Sequence, residues 1–417
     1  MGPCLSTQNP STDAPAPPSY AAKAGSGAPA PSPLTDRSNA RDAARAIDPA
    51  PRLPRRPAVT SSSAEVLFFP DPAMPCRATM RGQQCRRGAQ CEYAHQPTNL
   101  TRLLDVLNSA TKTLDVCVFT ITCNEIADAI VAASQTRGVD VRVITDDDQA
   151  NAKGSDVGAI EAAGIPTRKD AAKTHMHHKF AIVDGTTLVN GSFNWTRQAV
   201  LGNQENVVVT KGEPALVSAF AEEYERMWNQ FGRGAGDEKG GGAKANDRVL
   251  FFPDPAMPCR ATMRGQQCRR GAQCEYAHRP TNLTRLLDVL NSATKTLDVC
   301  VFTITCDEIA DAIIAASQTR GVDVRVIGDD EQALSKGGDM GRIAESGIAC
   351  RTDAAKTHMH HKFAIVDGTT LVNGSFNWTR QAVLGNQENV VVTKGDPALV
   401  SAFAEEFERM WVAFGRR

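Results

Sequence analysis

The sequence predicts an α/β fold: two α/β sandwich units, each a mixed sheet flanked by helices, joined in one chain. Three observations carry this. Strand-like and helix-like segments alternate along the chain. A unit that begins at Val66 recurs from Val249 at a constant offset of 183 residues, without a gap. Each copy holds the string Thr-His-Met-His-His-Lys-Phe-Ala-Ile-Val-Asp-Gly, starting at Thr174 and at Thr357. So long a period marks a duplicated domain rather than a solenoid.

Residues 1–63 are rich in Pro, Ala and Ser and poor in large apolar side chains, so a disordered tail is expected. Residues 64–97 carry the first cysteine cluster and read as a small zinc finger. Residues 98–231 form the first α/β unit, and the Gly-rich stretch 232–247 reads as a flexible linker. Its r.m.s. reach of roughly 20–25 Å lets the units pack face to face. Residues 248–280 and 281–417 repeat finger and unit.

Within the first unit, Leu100–Leu107 has helical apolar spacing, and Leu114–Ile121 is a β-rich run of buried-strand type. Glu125–Ala133 is helical, and Val139–Ile144 alternates as a strand. Lys179–Val183 and Thr187–Val189 flank an Asp-Gly turn, as in a hairpin. Asn206–Thr210 is a strand, and Pro214–Phe231 is an amphipathic helix with proline in its first turn.

The net charge of −1 excludes a polybasic binder, so attraction to phosphate must be local. No run of 18 apolar residues and no secretory signal are found, and an intracellular location is expected. The 12 cysteines, six of them at metal-ligand spacing, suit a reducing compartment. Met1-Gly2-Pro3-Cys4-Leu5-Ser6 admits three readings, ranked as plain tail, organelle transit peptide, and acylation with membrane association. The location is accordingly cytoplasmic or organelle-associated, mitochondrial or plastid.

All eight histidines lie in clusters. Cys76, Cys85, Cys91 and His95 follow Cys-x8-Cys-x5-Cys-x3-His, and Cys259, Cys268, Cys274 and His278 repeat it. Three thiolates and an imidazole suit a closed tetrahedral Zn2+ site with a structural role. With the flanking glycines and Tyr93, the spacing resembles the CCCH zinc-finger family, whose best-known members bind single-stranded RNA. Arg77, Arg81, Arg86 and Arg87 are candidate phosphate contacts and Tyr93 a stacking platform, against the alternative of a finger that only packs on its unit.

His177-x-Lys179-x4-Asp184, then Ser192-x-Asn194 and Glu205, recurs as His360, Lys362, Asp367, Ser375, Asn377 and Glu388. A neutral imidazole is a competent nucleophile toward phosphorus, and a second, protonated imidazole can serve the leaving oxygen. One copy supplies one such histidine, so the copies are expected to pair as an intramolecular pseudo-dimer. Lysine, serine and asparagine would hold the non-bridging oxygens. For Asp184 and Asp367 a structural role outweighs a chemical one. His175, His178, His358 and His361 tempt a metal reading, but the carboxylates that such a cluster would want are missing nearby.

These motifs resemble the phospholipase D (HKD) superfamily, closest to its Zucchini/mitochondrial cardiolipin hydrolase branch. The resemblance covers Val66–Phe231 and Val249–Phe414. It implies a phosphodiesterase working through a phosphohistidine without a catalytic metal, with Glu205 and Glu388 fixing an imidazole tautomer. Members of that branch carry one motif, pair as homodimers and have an N-terminal membrane helix; this chain carries both motifs and no such helix. The fingers favour single-stranded RNA or DNA as substrate. A phospholipid such as cardiolipin is the alternative, and a non-catalytic RNA-binding scaffold a third reading.

Overall fold

The computed structural model describes residues 63–232, 248–335 and 337–415. The expected tail and linker, and the readings of residues 1–6, lie outside the described residues save for Ser63 and Gly232.

The first half runs β1 (Ser63–Phe69), α1 (Arg77–Met80), α2 (Asn99–Asn108), β2 (Thr113–Val118), β3 (Ile121–Thr122), α3 (Asn124–Arg137), β4 (Asp140–Thr145), α4 (Asp147–Ala150) and α5 (Val157–Ala162). It continues with β5 (Thr167–Lys169), β6 (Lys179–Val183), β7 (Thr187–Gly191), β8 (Trp195–Thr196), α6 (Arg197–Leu201), β9 (Glu205–Lys211) and α7 (Pro214–Phe231). Seven strands form one sheet in the order β1-β9-β7-β6-β2-β4-β5. β2, β4 and β5 are parallel and the remaining pairs antiparallel, so the sheet is mixed. The second half repeats the order with Val249–Phe252, Glu388–Lys394, Thr370–Gly374, Lys362–Val366, Thr296–Val301, Asp323–Gly328 and Ala349–Thr352.

Local chemistry explains the main helices. Thr98 caps α2 in a reciprocal box with Thr101, and Leu100, Leu103, Leu104 and Leu107 recur on its buried face. α7 starts on Pro214, whose missing N–H costs nothing in a first turn, and buries Leu216, Val217, Phe220, Tyr224 and Met227. One sheet face packs on α2, α3 and α5 through Val116, Val118, Ile126, Ile130 and Val143.

The opposite face is where the halves join. Around α7, Phe180, Ile182, Leu188 and Phe220 share one core with Val249, Phe251 and Val391 of the second half. Reciprocally, Ala64, Val66, Phe68 and Val208 pack into the second half beside Phe403 and Phe407. The Phe68 and Phe403 rings meet edge to face with centroids 5.1 Å apart, and so do Phe220 and Phe251.

This corrects the expected finger boundary. Residues from 64 were expected in the finger, yet Ser63–Phe69 is the edge strand of the sheet, paired along its length with β9. Side chains alternate across a strand, so Leu67 and Phe69 enter their own half's core while Ala64, Val66 and Phe68 enter the other's. Val66-Leu67-Phe68-Phe69 is apolar throughout because both faces are covered. The finger proper follows it, with α1, a 3₁₀ turn at Gly88–Gln90 and a bridge between Pro75 and Ala94.

A shared core makes the halves one cooperative unit. Phe251→Ala removes a fully buried ring from the first half's core and should cost about 3–5 kcal/mol. Calorimetry should show one transition that shifts as a whole; two transitions, only one of them moving, would refute the shared core.

Candidate active site

The site lies where the halves meet. The backbone of His177 donates to the Gln387 carbonyl at 3.0 Å and Gln387 donates back to His175 at 2.9 Å; Gln204 and His360 repeat the exchange from the other side. These bridges carry each His-Met-His-His segment across the interface. Gly202 and Gly385 permit it, because a Cβ on either would fall 2.7 or 2.5 Å from the methyl of Thr357 or Thr174 in the opposite half.

Each nucleophile-type histidine is held by the opposite half's glutamate. His177 Nδ1 lies 2.8 Å from Glu388 Oε1, and His360 Nδ1 lies 2.8 Å from Glu205 Oε1. Both imidazoles are about nine-tenths buried and both carboxylates fully so. With the Nδ1 proton given to a carboxylate, Nε2 keeps its lone pair free. Burial, and then the nearby Lys179 and Lys362 charges, hold both imidazoles well below their ordinary pKa, so both are neutral at rest.

Lys179 and Lys362 are also buried. Each donates to the carbonyl of the histidine two residues before it at 2.7 Å. Each ammonium stands over a ring, Lys179 5.0 Å from the Phe119 centroid and Lys362 5.1 Å from that of Phe302. Burial pushes the two lysines down, to about 7 and about 8. Burial likewise pushes Glu205 and Glu388 up, against the pull of the lysines.

Ser192 and Ser375 depart from expectation. They are fully buried and donate to Glu205 Oε2 and Glu388 Oε2 at 2.7 Å, while accepting the backbone N–H of Asn206 and Asn389 at 3.0 Å. Their single proton is committed to the glutamate, so they position it rather than hold a phosphate oxygen. The preceding Gly191 is needed for this contact, since a Cβ there would sit 2.2 Å from the Asn206 carbonyl oxygen. Asn194 and Asn377 are half-buried, with side-chain oxygens that have no protein partner.

Asp184 and Asp367 stand apart. Asp184 follows β6, about 17 Å along the strand from Lys179. It takes a left-handed φ of 51° and accepts from the N–H groups of Thr111, Lys112 and Thr113 and from the Thr111 hydroxyl. Partial burial opposes ionisation, but these bonds outweigh it and hold the carboxyl down to about 2. Asp367 does the same with Thr294, Lys295 and Thr296. Both are turn pins rather than catalytic groups.

Sequence reasoning missed Asp146 and Asp329, which oppose His175 Nδ1 and His358 Nδ1 at 3.3 Å. Carboxylates are therefore not missing nearby: Asp146, Asp147 and Asp170 cluster, as do Asp329, Asp330 and Asp353. Backbone donors already occupy them, Gln149 and Met176 on Asp146 and Asp147 on Asp170. Burial, then the Asp146 charge, pushes Asp170 up to about 8, so a proton relieves the crowding there. The only sequence signal was that Asp146 directly follows a strand.

In each finger the three sulfurs and the imidazole nitrogen lie within 4.8 Å of one another. Cys76 and Cys91 are 4.0 Å apart at sulfur, near the roughly 3.8 Å edge of a tetrahedron with 2.3 Å Zn–S bonds. The backbone N–H of Thr79 leads the interactions that hold Cys76 down to about 6, which favours a thiolate ligand. The four residues of each set fit a zinc ion.

A mixed sheet between helices, doubled, with two histidine–lysine pairs meeting at one interface, defines a phospholipase D-type hydrolase. The family model described as "Cardiolipin synthase, PLD-like domain" matches residues 103–228 and 286–411, and the chain belongs to that family. It is 46% identical over 203 residues to the mitochondrial cardiolipin hydrolase of Chlamydomonas reinhardtii, covering 48% of this chain and 90% of the relative. It is 40% identical over 185 residues to that of Homo sapiens, covering 43% and 69%. The crystal structure of phosphatidylserine synthase from Haemophilus influenzae shares the fold across both halves, with a TM-score of 0.53 at 13% identity over 83% of this chain and 86% of the other. Among the described residues no helix is long and apolar enough to cross a membrane.

Two outcomes test the site. His177→Ala and His360→Ala should each remove nearly all turnover of a small phosphodiester, whereas half-activity in either would mean that the halves work independently. Asp184→Asn should leave kcat within about twofold while lowering Tm, because it acts on the turn. Since the folded-state pKa is depressed, its stabilisation is present above about pH 4 and lost as pH falls toward 2. A loss of kcat at unchanged Tm would return Asp184 to the catalytic set.

Proposed function

We propose that this phosphodiesterase hydrolyses phospholipids, with cardiolipin-type diesters as substrate and phosphatidic acid as product. The crossed histidine–glutamate pairs carry the chemistry. One histidine attacks phosphorus through Nε2, and the opposite histidine, protonated when the anionic substrate docks, gives its proton to the leaving alcohol oxygen. A P–N bond forms and a P–O bond breaks. Water then attacks phosphorus: a P–O bond forms, the P–N bond breaks and frees the first imidazole, and the water proton passes to the second histidine, which is protonated again as it was when substrate docked. Lys179, Lys362, Asn194 and Asn377 hold the non-bridging oxygens. Glu205 and Glu388 hold the imidazoles, with Ser192 and Ser375 behind them. No step calls for a catalytic metal.

The names of the relatives favour lipid. At 40–46% identity these proteins are called mitochondrial cardiolipin hydrolases, and an organelle-associated location follows the same line. A second reading, cleavage of single-stranded nucleic acid, rests on Tyr93 and Tyr276, large rings left 42% exposed on the arginine-bearing fingers. In both readings zinc in the Cys3His sets is structural, and residues 63–231 and 248–415 act as an intramolecular pseudo-dimer.

Purified protein briefly treated with EDTA should release phosphatidic acid from cardiolipin liposomes and leave labelled single-stranded RNA intact. RNA cleavage with untouched liposomes would exchange the two readings. Activity lost in EDTA and restored by magnesium would sink the metal-free mechanism. Cys85→Ser or Cys268→Ser should lower Tm and zinc content together.

A further inference from the structure

His178 and His361 are fully buried, and the phosphodiesterase chemistry leaves them without a task. Each sits between a catalytic histidine and a catalytic lysine but faces away from both, as residue alternation requires. His178 Nδ1 lies 2.9 Å from Asn389 Nδ2, across the interface. An amide nitrogen only donates, so His178 Nδ1 is the acceptor and the ring proton is on Nε2. That nitrogen faces Glu223 Oε1 at 3.5 Å, and Arg226 fixes the Glu223 carboxylate with bonds of 2.6 and 2.8 Å.

The second Nδ2 proton of Asn389 goes to Ser375 Oγ at 3.3 Å, which also accepts the Asn389 backbone N–H at 3.0 Å. Ser375, accepting twice, must donate its one proton to Glu388 Oε2 at 2.7 Å. Glu388 Oε1 is then left to accept from His177 Nδ1 at 2.8 Å. The lone pair of His178 Nδ1 faces the same Asn389 amide nitrogen that reaches Ser375, so it bears on how that amide is turned toward Ser375 and Glu388. Glu223, Ser375, Glu388 and Asn389 are all 0% exposed, so no bulk water competes for these bonds. The same loop runs from His361 through Asn206, Ser192 and Glu205 to His360, with Glu406 and Arg409 behind it.

We propose that His178 and His361 are positioning residues: each orients, through an asparagine and a serine of the opposite half, the glutamate that sets the tautomer of the catalytic histidine beside it. The loop leaves its own half at His178 and returns to it at His177. This rests on the phosphodiesterase chemistry above, and wild-type turnover of bis-p-nitrophenyl phosphate measured alongside separates failure of that chemistry from failure of the loop.

The test uses the full chain and two replacements. His178→Gln keeps a donor near the Nε2 position and loses the Nδ1 acceptor; His178→Asn keeps an acceptor at the Nδ1 position. His178→Gln should lower kcat about tenfold or more with KM within about twofold, the scale of one lost buried hydrogen bond. His178→Asn should recover kcat to within about threefold of wild type. The wiring makes a sharper demand. His178→Gln combined with Ser375→Ala should lose no more than the worse single variant, while combined with Ser192→Ala, in the other loop, the losses should multiply. Folded His178→Gln with wild-type kcat, or losses that multiply equally with both serines, would overturn the proposal. Should His178→Gln not fold, His361→Gln with the serines exchanged poses the same question.

Discussion

The structure turns on the exchange of carboxylates between halves. A buried imidazole beside buried lysines has every reason to tumble or to carry its proton on the wrong nitrogen. Glu388 prevents this for His177, and Glu205 for His360. Neither half possesses the partner its own histidine needs. A buried carboxylate is costly to leave unpaired, so the exchange binds the halves as well as arranging the chemistry.

Everything else at the interface serves that exchange. The paired backbone bridges at Met176–Gln387 and Gln204–Met359 set the register in which glutamate meets histidine. Glycines at 202 and 385 allow the approach, and those at 191 and 374 bring each serine onto its asparagine carbonyl. Alternate side chains of β1 and of Val249–Phe252 enter the core of the opposite half and hold the halves together. Close packing here is what keeps a 2.8 Å bond across an interface at that length.

Much of this was legible beforehand. The duplication, the alternation of elements, the His-x-Lys pattern and the need for two imidazoles followed from residue types and spacing. What the sequence hid is what depends on contact across the interface. Two glutamates in identical stretches, 171–212 and 354–395, give no sign of which histidine each will meet. Ser192 was expected to hold a non-bridging oxygen; its bond to Glu205, made in a fully buried position, shows the proton spent there instead. Asp184 is part of the motif by spacing, yet strand length alone carries it out of the site. Val66–Phe69 was expected within the finger, yet its apolar run without alternation is the mark of a strand with both faces covered.

One pair of substitutions sits close to the center. Thr145 gives its hydroxyl to the carbonyl of Phe119, the residue whose ring contacts both His175 and His177. The second copy has Gly328 there, and Met340, in place of Val157, fills the space, its methyl 3.0 Å from where a Cβ would stand. In a homodimer such a change would be made twice and symmetry would survive it. Within a single chain it is made once. Gly328 offers the Phe302 carbonyl no hydroxyl, so the backbones behind the two rings are held differently, although each ring still meets its histidines at 5.3 and 4.8 Å. Covalent duplication thus opens a route closed to any twofold assembly: attacker and proton donor can become separate inherited roles, each refined on its own copy.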